Sequence, residues 1–280
     1  MKKTSRIGIM EGRLSYSIND KIQSFPEKSW KQEFEKASKC GFNVIEWIFD
    51  TRNNPILDDK KIKEMTYLSE KYDVVINSVC ADFFMEEMLF NVSEFKLEKN
   101  LAVLKNLITQ CNKLEIQILE IPLVDSSSLK TKNNEIDFFN NIHKILPYAE
   151  ENNVTLNLET DLPPLQFKEF LKSFNNPNLR ANYDVGNSTS LGYDIQEELT
   201  VLGDFITNIH IKDRLLHGTT VPFGTGNTNF QLFFETIKKI GYQGDFIIQG
   251  ARENETNIKP EKTCKKYLEF VKRYIDKYLL

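Results

Sequence analysis

Histidine is scarce in this 280-residue chain, which has three, His143, His210 and His217. That count rules out a phosphodiester-cleaving centre built on a cluster of metals with several histidines. Cysteine is sparse too: Cys40, Cys80, Cys111 and Cys264 lie far apart with no paired spacing, which argues against a zinc knuckle or a disulfide framework and for four reduced, mostly buried thiols. Long apolar runs are absent, and the opening MKKTSRIGIM lacks the apolar stretch of a signal peptide, so a soluble, cytoplasmic protein without a membrane partner is expected. Basic charge is not in excess. The net charge of −4 argues against a clamp on nucleic acid or anionic lipid, though it leaves room for a small basic pocket. No G-x-G-x-x-G follows the first apolar run, where Glu11-Gly12-Arg13-Leu14 stands instead, so a doubly wound dinucleotide fold is disfavoured. Nor is there a composition shift or linker, and residues 1–280 read as one domain.

Short runs rich in Ile, Val and Leu alternate with segments of helical periodicity. Strands are expected near Arg6–Met10, Val44–Phe49, Val74–Cys80, Ile116–Ile121, Thr155–Thr160, Leu179–Asp184, Ile206–Asp213 and Asp245–Ala251. Between them Leu97, Leu101, Leu104 and Ile108 share one helical face, as do Phe230, Phe233, Phe234, Ile237 and Ile240, and Cys264, Tyr267, Leu268, Val271 and Tyr274. Pro26-Glu27 and Leu57-Asp58-Asp59 mark helix starts. Eight strand-helix repeats without hairpin signals predict an α/β fold, the closed (β/α)8 TIM barrel.

A parallel barrel builds its site at the carboxyl ends of its strands, so the polar residues ending each run matter most. Strand five ends in Glu159, strand six in Asp184 followed by Asn187, strand seven in His210, and strand eight in Gln249 and then Arg252. Two carboxylates, an imidazole and an amide oxygen converging on the axis make a site for one divalent metal ion: Mg2+ or Mn2+ from the oxygen ligands, with Zn2+, Co2+ or Fe2+ admitted by the histidine. Loop capping or pairing with Arg180 or Arg252 is the structural alternative for the acids. Arg13, Lys212, Arg214 and Arg252 follow strand ends where sugar hydroxyls or a phosphate would be met. Gly224-Thr225-Gly226 is a weak candidate anion cradle. Trp47 and Phe83-Phe84 are placed to stack on a sugar, with a core or lid role favoured for the phenylalanines.

The Glu159, Asp184, His210 series, the His210-x-Lys212-Asp213 motif, and the Val221–Phe230 segment resemble the sugar phosphate isomerase/epimerase superfamily, the xylose-isomerase-like barrels. Gly8–Leu14 and Ile45–Phe49 are similar to a bacterial subgroup of it. The resemblance covers essentially the whole chain. It implies a metal held by Glu159, Asp184 and His210 with position 249 as fourth ligand, a sugar or sugar phosphate as the small-molecule partner, and a homo-oligomer, since members are often dimers or tetramers. Most members carry glutamate on strand eight, where Gln249 cannot carry a proton. The implied chemistry is proton abstraction next to a carbonyl through an enediolate, with Glu159 as base. Glu159, Lys212 and Arg252 are the candidate catalytic residues, and Arg13, Glu46, Asn187 and Arg214 the candidate substrate-binding residues. Epimerisation needs a proton donor on the second face, from Glu46, Glu120, Glu253 or water. Loss of the strand-eight acid therefore leans towards aldose–ketose isomerisation or a dehydratase step, and a non-catalytic sugar-binding barrel is the alternative.

Overall fold

The computed structural model describes residues 6–19, 21–253 and 258–280. Eight parallel strands close on themselves in chain order: β1 (Ile7–Met10), β2 (Val44–Ile48), β3 (Val75–Cys80), β4 (Ile118–Leu123), β5 (Thr155–Thr160), β6 (Leu179–Asp184), β7 (Ile206–Ile211) and β8 (Asp245–Ile248). Closure is made by β1 on β8, with Ile7 opposite Phe246 and Ile9 opposite Ile248. The (β/α)8 TIM barrel expected from the alternation is the fold found.

The strands are buried almost throughout, as a sheet covered by helices on its outer face requires. β7 and β8 end at Ile211 and Ile248, short of the expected Asp213 and Ala251, and elsewhere boundaries shift where helix ends compete for the same residues. β4 starts two residues late because Ile116 still donates its N–H to Cys111 O while Glu115 takes a positive φ of 59° to end the helix Glu94–Lys113. The first helix begins at Trp30 rather than at Pro26, whose carbonyl instead accepts from Ser29 and Trp30 in a preceding turn. Asp58 does cap its helix, accepting from the Lys60 N–H at 2.8 Å.

Helices Phe230–Ile240 and Pro260–Tyr278 show how the outer layer holds. Phe230, Phe233, Phe234 and Ile237 are buried on one face of the first, and Cys264, Tyr267, Leu268 and Val271 on one face of the second. Phe234 stacks on Tyr274 with ring centroids 5.3 Å apart and also meets Phe246 of β8 at 5.7 Å, so a single ring ties both helices to the barrel. At the opposite end from the site, Arg6 makes a two-pronged bond to Asp245, at 2.9 and 2.7 Å, across the closing seam. Replacing Phe234 by Ala is expected to cost about 3–5 kcal/mol, read as a lowered urea midpoint with an unchanged slope.

Candidate active site

Side chains two apart on a strand share a face, and on β5, β6 and β7 this puts Asn157, Asn182 and Asn208 one step below Glu159, Asp184 and His210 inside the barrel. Glu46 of β2 enters from across the barrel, and Glu120 from β4, the strand beside β5. Four carboxylates and one imidazole thus meet where water is nearly excluded, since Glu46, Glu120, Glu159, Asp184 and His210 are all buried.

His210 is the centre of the cluster. Its Nε2 bonds Glu46 Oε1 at 2.5 Å and lies 3.2 Å from Glu120 Oε2; its Nδ1 lies 3.2 Å from Glu159 Oε2 and 3.8 Å from Asp184 Oδ2. The asparagine layer fixes which ring nitrogen does what. Asn208 donates to Glu46 Oε2 at 2.7 Å and to Asn182 Oδ1 at 3.0 Å, so Asn182 must turn its NH2 towards Glu159 Oε2, 2.8 Å away, and His210 Nδ1, 3.1 Å away. In a neutral imidazole, as a bound cation would require, a donor pointing at Nδ1 favours a lone pair there and the hydrogen on Nε2, whereas the protonated ring that the surrounding carboxylates favour donates from Nδ1 to Glu159. The usual shell around a metal-bound histidine has this form, with a carboxylate behind the ring and a free nitrogen in front.

The electrostatics follow from burial. Burial pushes the Glu120 carboxyl well above its ordinary range, with the charges of Glu159 and Glu46 adding to it against the pull of His210. Burial would raise Glu159 too, but the bond and charge of His210, with the charge of Lys212, outweigh it and bring that carboxyl down to about 2. Burial alone would lower His210, and the Glu120 and Glu46 charges reverse the sign, holding the imidazole well above its ordinary value.

Donor set and spare lone pairs fit a divalent cation on the Nδ1 side. Glu159, Asp184 and His210 present ligand atoms within 4.8 Å of one another, and the buried Gln249 Oε1 has no hydrogen-bond partner. A second group, Glu46, Glu120 and His210, also brings its ligand atoms within 4.8 Å of one another, on the Nε2 side. There, however, Glu46 is already committed to His210, Asn208 and the Ser78 hydroxyl.

A cavity of about 480 Å3 opens above the cluster, and Glu120, Glu159, Asn187, Lys212, Arg214 and Gln249 are among the residues lining it. Lys212 Nζ pairs with Asp184 Oδ2 at 2.6 Å. Asn187 donates to Glu159 Oε1 at 2.6 Å and accepts from Arg214 at 2.8 Å, so it orients the carboxylate from above. Arg13 reaches the cavity rim, where burial and the charge of Arg252 lower its guanidinium to about 10.

Other residues singled out in the sequence lie elsewhere. Arg252 donates to the carbonyls of Gly12, Ser15 and Ile22 at 2.9 Å each, stapling the β1 loop instead of facing the carboxylates. Glu46 is fully buried beneath His210 and is not among the cavity-lining residues. Glu253 pairs with Lys266 outside the cluster. Gly224 and Gly226 do cradle an anion with their amides, but it is the carboxylate of Asp213 in the same chain, at 2.8 and 3.0 Å, and a side chain at 226 would collide with it. Trp47 is a core residue whose Nε1 donates to Asn54 at 2.9 Å, and Phe83 and Phe84 pack on Phe49.

Residues 34–274 match the profile of the xylose isomerase-like TIM barrels. The chain belongs to that family. It is 27% identical over 265 residues to SgbU of Haemophilus influenzae, provisionally named an L-ribulose-5-phosphate 3-epimerase, covering 88% of this chain and 89% of that protein. UlaE of Shigella flexneri, named an L-ribulose-5-phosphate 3-epimerase, is 25% identical over 256 residues, covering 87% and 89%. Among solved structures, the IOLI protein with a bound zinc atom superposes with a TM-score of 0.79 at 17% identity, covering 98% of this chain and 99% of that one. Sugar epimerases of this kind are isomerases. Within this family, Gln249 is the departure noted in the sequence, and Glu120 on β4 is the residue that sequence reasoning could name but not rank.

One buttress of the site is titratable. Glu198 accepts from Tyr183 OH at 3.0 Å and Ser188 Oγ at 2.9 Å, holding the end of β6, and burial raises its carboxyl to about 7 against those two bonds. A raised folded-state value means that the native protein holds this proton longer than the unfolded chain. The group's stabilisation is therefore complete below about pH 4.5 and fades as pH rises to about 7. Glu198→Gln is expected to flatten that part of the stability–pH curve and to raise stability at pH 8, measured by urea unfolding from pH 5 to 8.

Proposed function

We propose that this protein is a sugar or sugar-phosphate isomerase that epimerises a ketose at the carbon beside its carbonyl, using one divalent cation. The observation that carries this reading is that Glu120 and Glu159, two carboxylates from the neighbouring strands β4 and β5, line the same cavity. Gln249 cannot serve as the second proton carrier, and by itself it leans towards isomerisation or dehydration. Glu120 supplies the missing acid from β4 instead of β8. The names of SgbU and UlaE support a pentulose 5-phosphate as the first substrate to try.

Glu159, Asp184, His210 through Nδ1, and Gln249 through Oε1 would hold the cation, and Zn2+, Mn2+, Mg2+ and Co2+ are all compatible with that donor set. Once bound, it would draw electron density from the substrate carbonyl and adjacent hydroxyl, making the carbon-bound proton more acidic. Glu159, held ionised and oriented by Asn187 and Asn182, removes the proton from one face. Glu120, kept protonated by its surroundings, returns one to the other. Lys212 pairs with Asp184 and shares Asn187 with Arg214, so its ammonium is positioned for a substrate oxygen at the same rim. Arg13 and Arg214 provide positive charge at the cavity mouth for a phosphate end.

The test is proton–deuterium exchange in D2O on ribulose and xylulose 5-phosphates and the free ketoses, followed by NMR. Wild type should exchange and epimerise, and EDTA should abolish both. Glu159→Gln should lose exchange by about 100-fold or more. Glu120→Gln should retain exchange while losing the epimer to a similar degree. Epimer formation at the wild-type rate in Glu120→Gln would remove Glu120 from the reaction, and exchange indifferent to EDTA would remove the cation.

A further inference from the structure

Gln249 is buried, and the two ends of its amide are treated differently. Nε2 donates to Gln23 Oε1 at 2.9 Å, whereas Oε1 has no hydrogen-bond partner. Gln23 comes from the β1 loop, 226 residues away in sequence. Its own amide is held at both ends: Nε2 donates to Asp82 Oδ2 at 2.7 Å, and Oε1 also accepts from Arg13 at 3.3 Å. Asp82 accepts at its other oxygen too, from the Cys80 thiol at 3.2 Å. Burial and the neighbouring Asp82 charge keep that thiol well above its ordinary range, so the sulfur retains its hydrogen.

This chain of bonds has one satisfactory direction. If Gln249 turned over, its oxygen would meet Gln23 Oε1 unless Gln23 turned as well. A turned Gln23 would set its oxygen against the carboxylate of Asp82 and its NH2 against the Arg13 guanidinium, two repulsive contacts at once. Gln23 and Asp82 are half-buried, so water can soften these contacts only in part. The line therefore fixes Nε2 on Gln23 and leaves the oxygen as the free end of the amide, on a residue that lines the cavity with Glu159 and Lys212.

We propose that Gln23, held by Asp82 and Arg13, is the positioning residue that presents Gln249 Oε1 as an amide-oxygen ligand to the divalent cation. This rests on the functional reading above. It gives the loss of the strand-eight acid a counterpart in the chain: a loop glutamine that points the replacement's one useful atom at the site. A carboxylate at position 249 would need no such help, because both its oxygens can ligate, and it would face Gln23 Oε1 unfavourably.

The experiment is calorimetric titration of the full-length, metal-stripped protein with Mn2+ and with Zn2+, which needs no turnover, with thermal unfolding to confirm that each variant is folded. Gln23→Leu removes the acceptor for Gln249 and should weaken cation binding by about 10–100-fold, the range for lost outer partners of metal ligands. Gln249→Leu should weaken it at least as much. The double variant Gln23→Glu with Asp82→Asn reverses the bond between those two positions while keeping an acceptor for both Gln249 and Arg13. It should restore affinity to within a few-fold of wild type, an outcome that a mere packing role for Gln23 does not give. Gln23→Leu binding as tightly as wild type, or a double variant as weak as Gln23→Leu, would overturn the inference while leaving the cation site standing. No binding of either cation to wild type would overturn the inference together with the cation-dependent reading beneath it.

Discussion

Four buried carboxylates around one buried imidazole cannot all keep their charge without a cation among them. That need for positive charge organises the top of this barrel. A proton on His210 and the ammonium of Lys212 supply it in the arrangement seen, with Lys212 on Asp184 and His210 between Glu46 and Glu159. A divalent ion on the Nδ1 side would supply it better. It would take the oxygens that Lys212 and the imidazole proton now neutralise, leaving His210 to donate through Nε2 to Glu46. The asparagines of the layer below serve the same end, since each has its NH2 turned to a carboxylate or to a neighbouring amide oxygen.

Much of this was legible in the chain because barrel strands announce their ends. Glu159, Asp184 and His210 terminate apolar runs, and the parallel register brings Asp184 opposite His210 on adjacent strands. What the sequence could not rank were contacts made across the barrel. Glu46 and His210 are 164 residues apart and meet only when the cylinder closes, so Glu46 read as a substrate contact when it stands behind the histidine. Glu120 sits in a run no more polar than its neighbours, and only the closed geometry turns it into the cavity. Arg252 follows a site strand yet folds back over the β1 loop, where its long guanidinium reaches three backbone carbonyls at once.

Position 249 links the sequence and structural arguments. Family resemblance marks it as the place where the chain departs from an acid, and the roles proposed for Glu120 and Gln23 would compensate for that departure. Glu120 brings a carboxyl from another strand, and the Asp82–Gln23 line brings orientation. Both are distant in sequence from the change they accompany. A site that had drifted out of use would have no physical reason to keep either the ligand set or a directed amide beside it.

The most direct measurement is anomalous diffraction from crystals soaked in Mn2+, recorded at a wavelength where manganese scatters anomalously. One strong peak is expected on the Nδ1 side of His210, bounded by Glu159, Asp184 and Gln249, with Lys212 moved off Asp184. A peak between Glu46 and Glu120 on the Nε2 side, or no peak at either group, would contradict it.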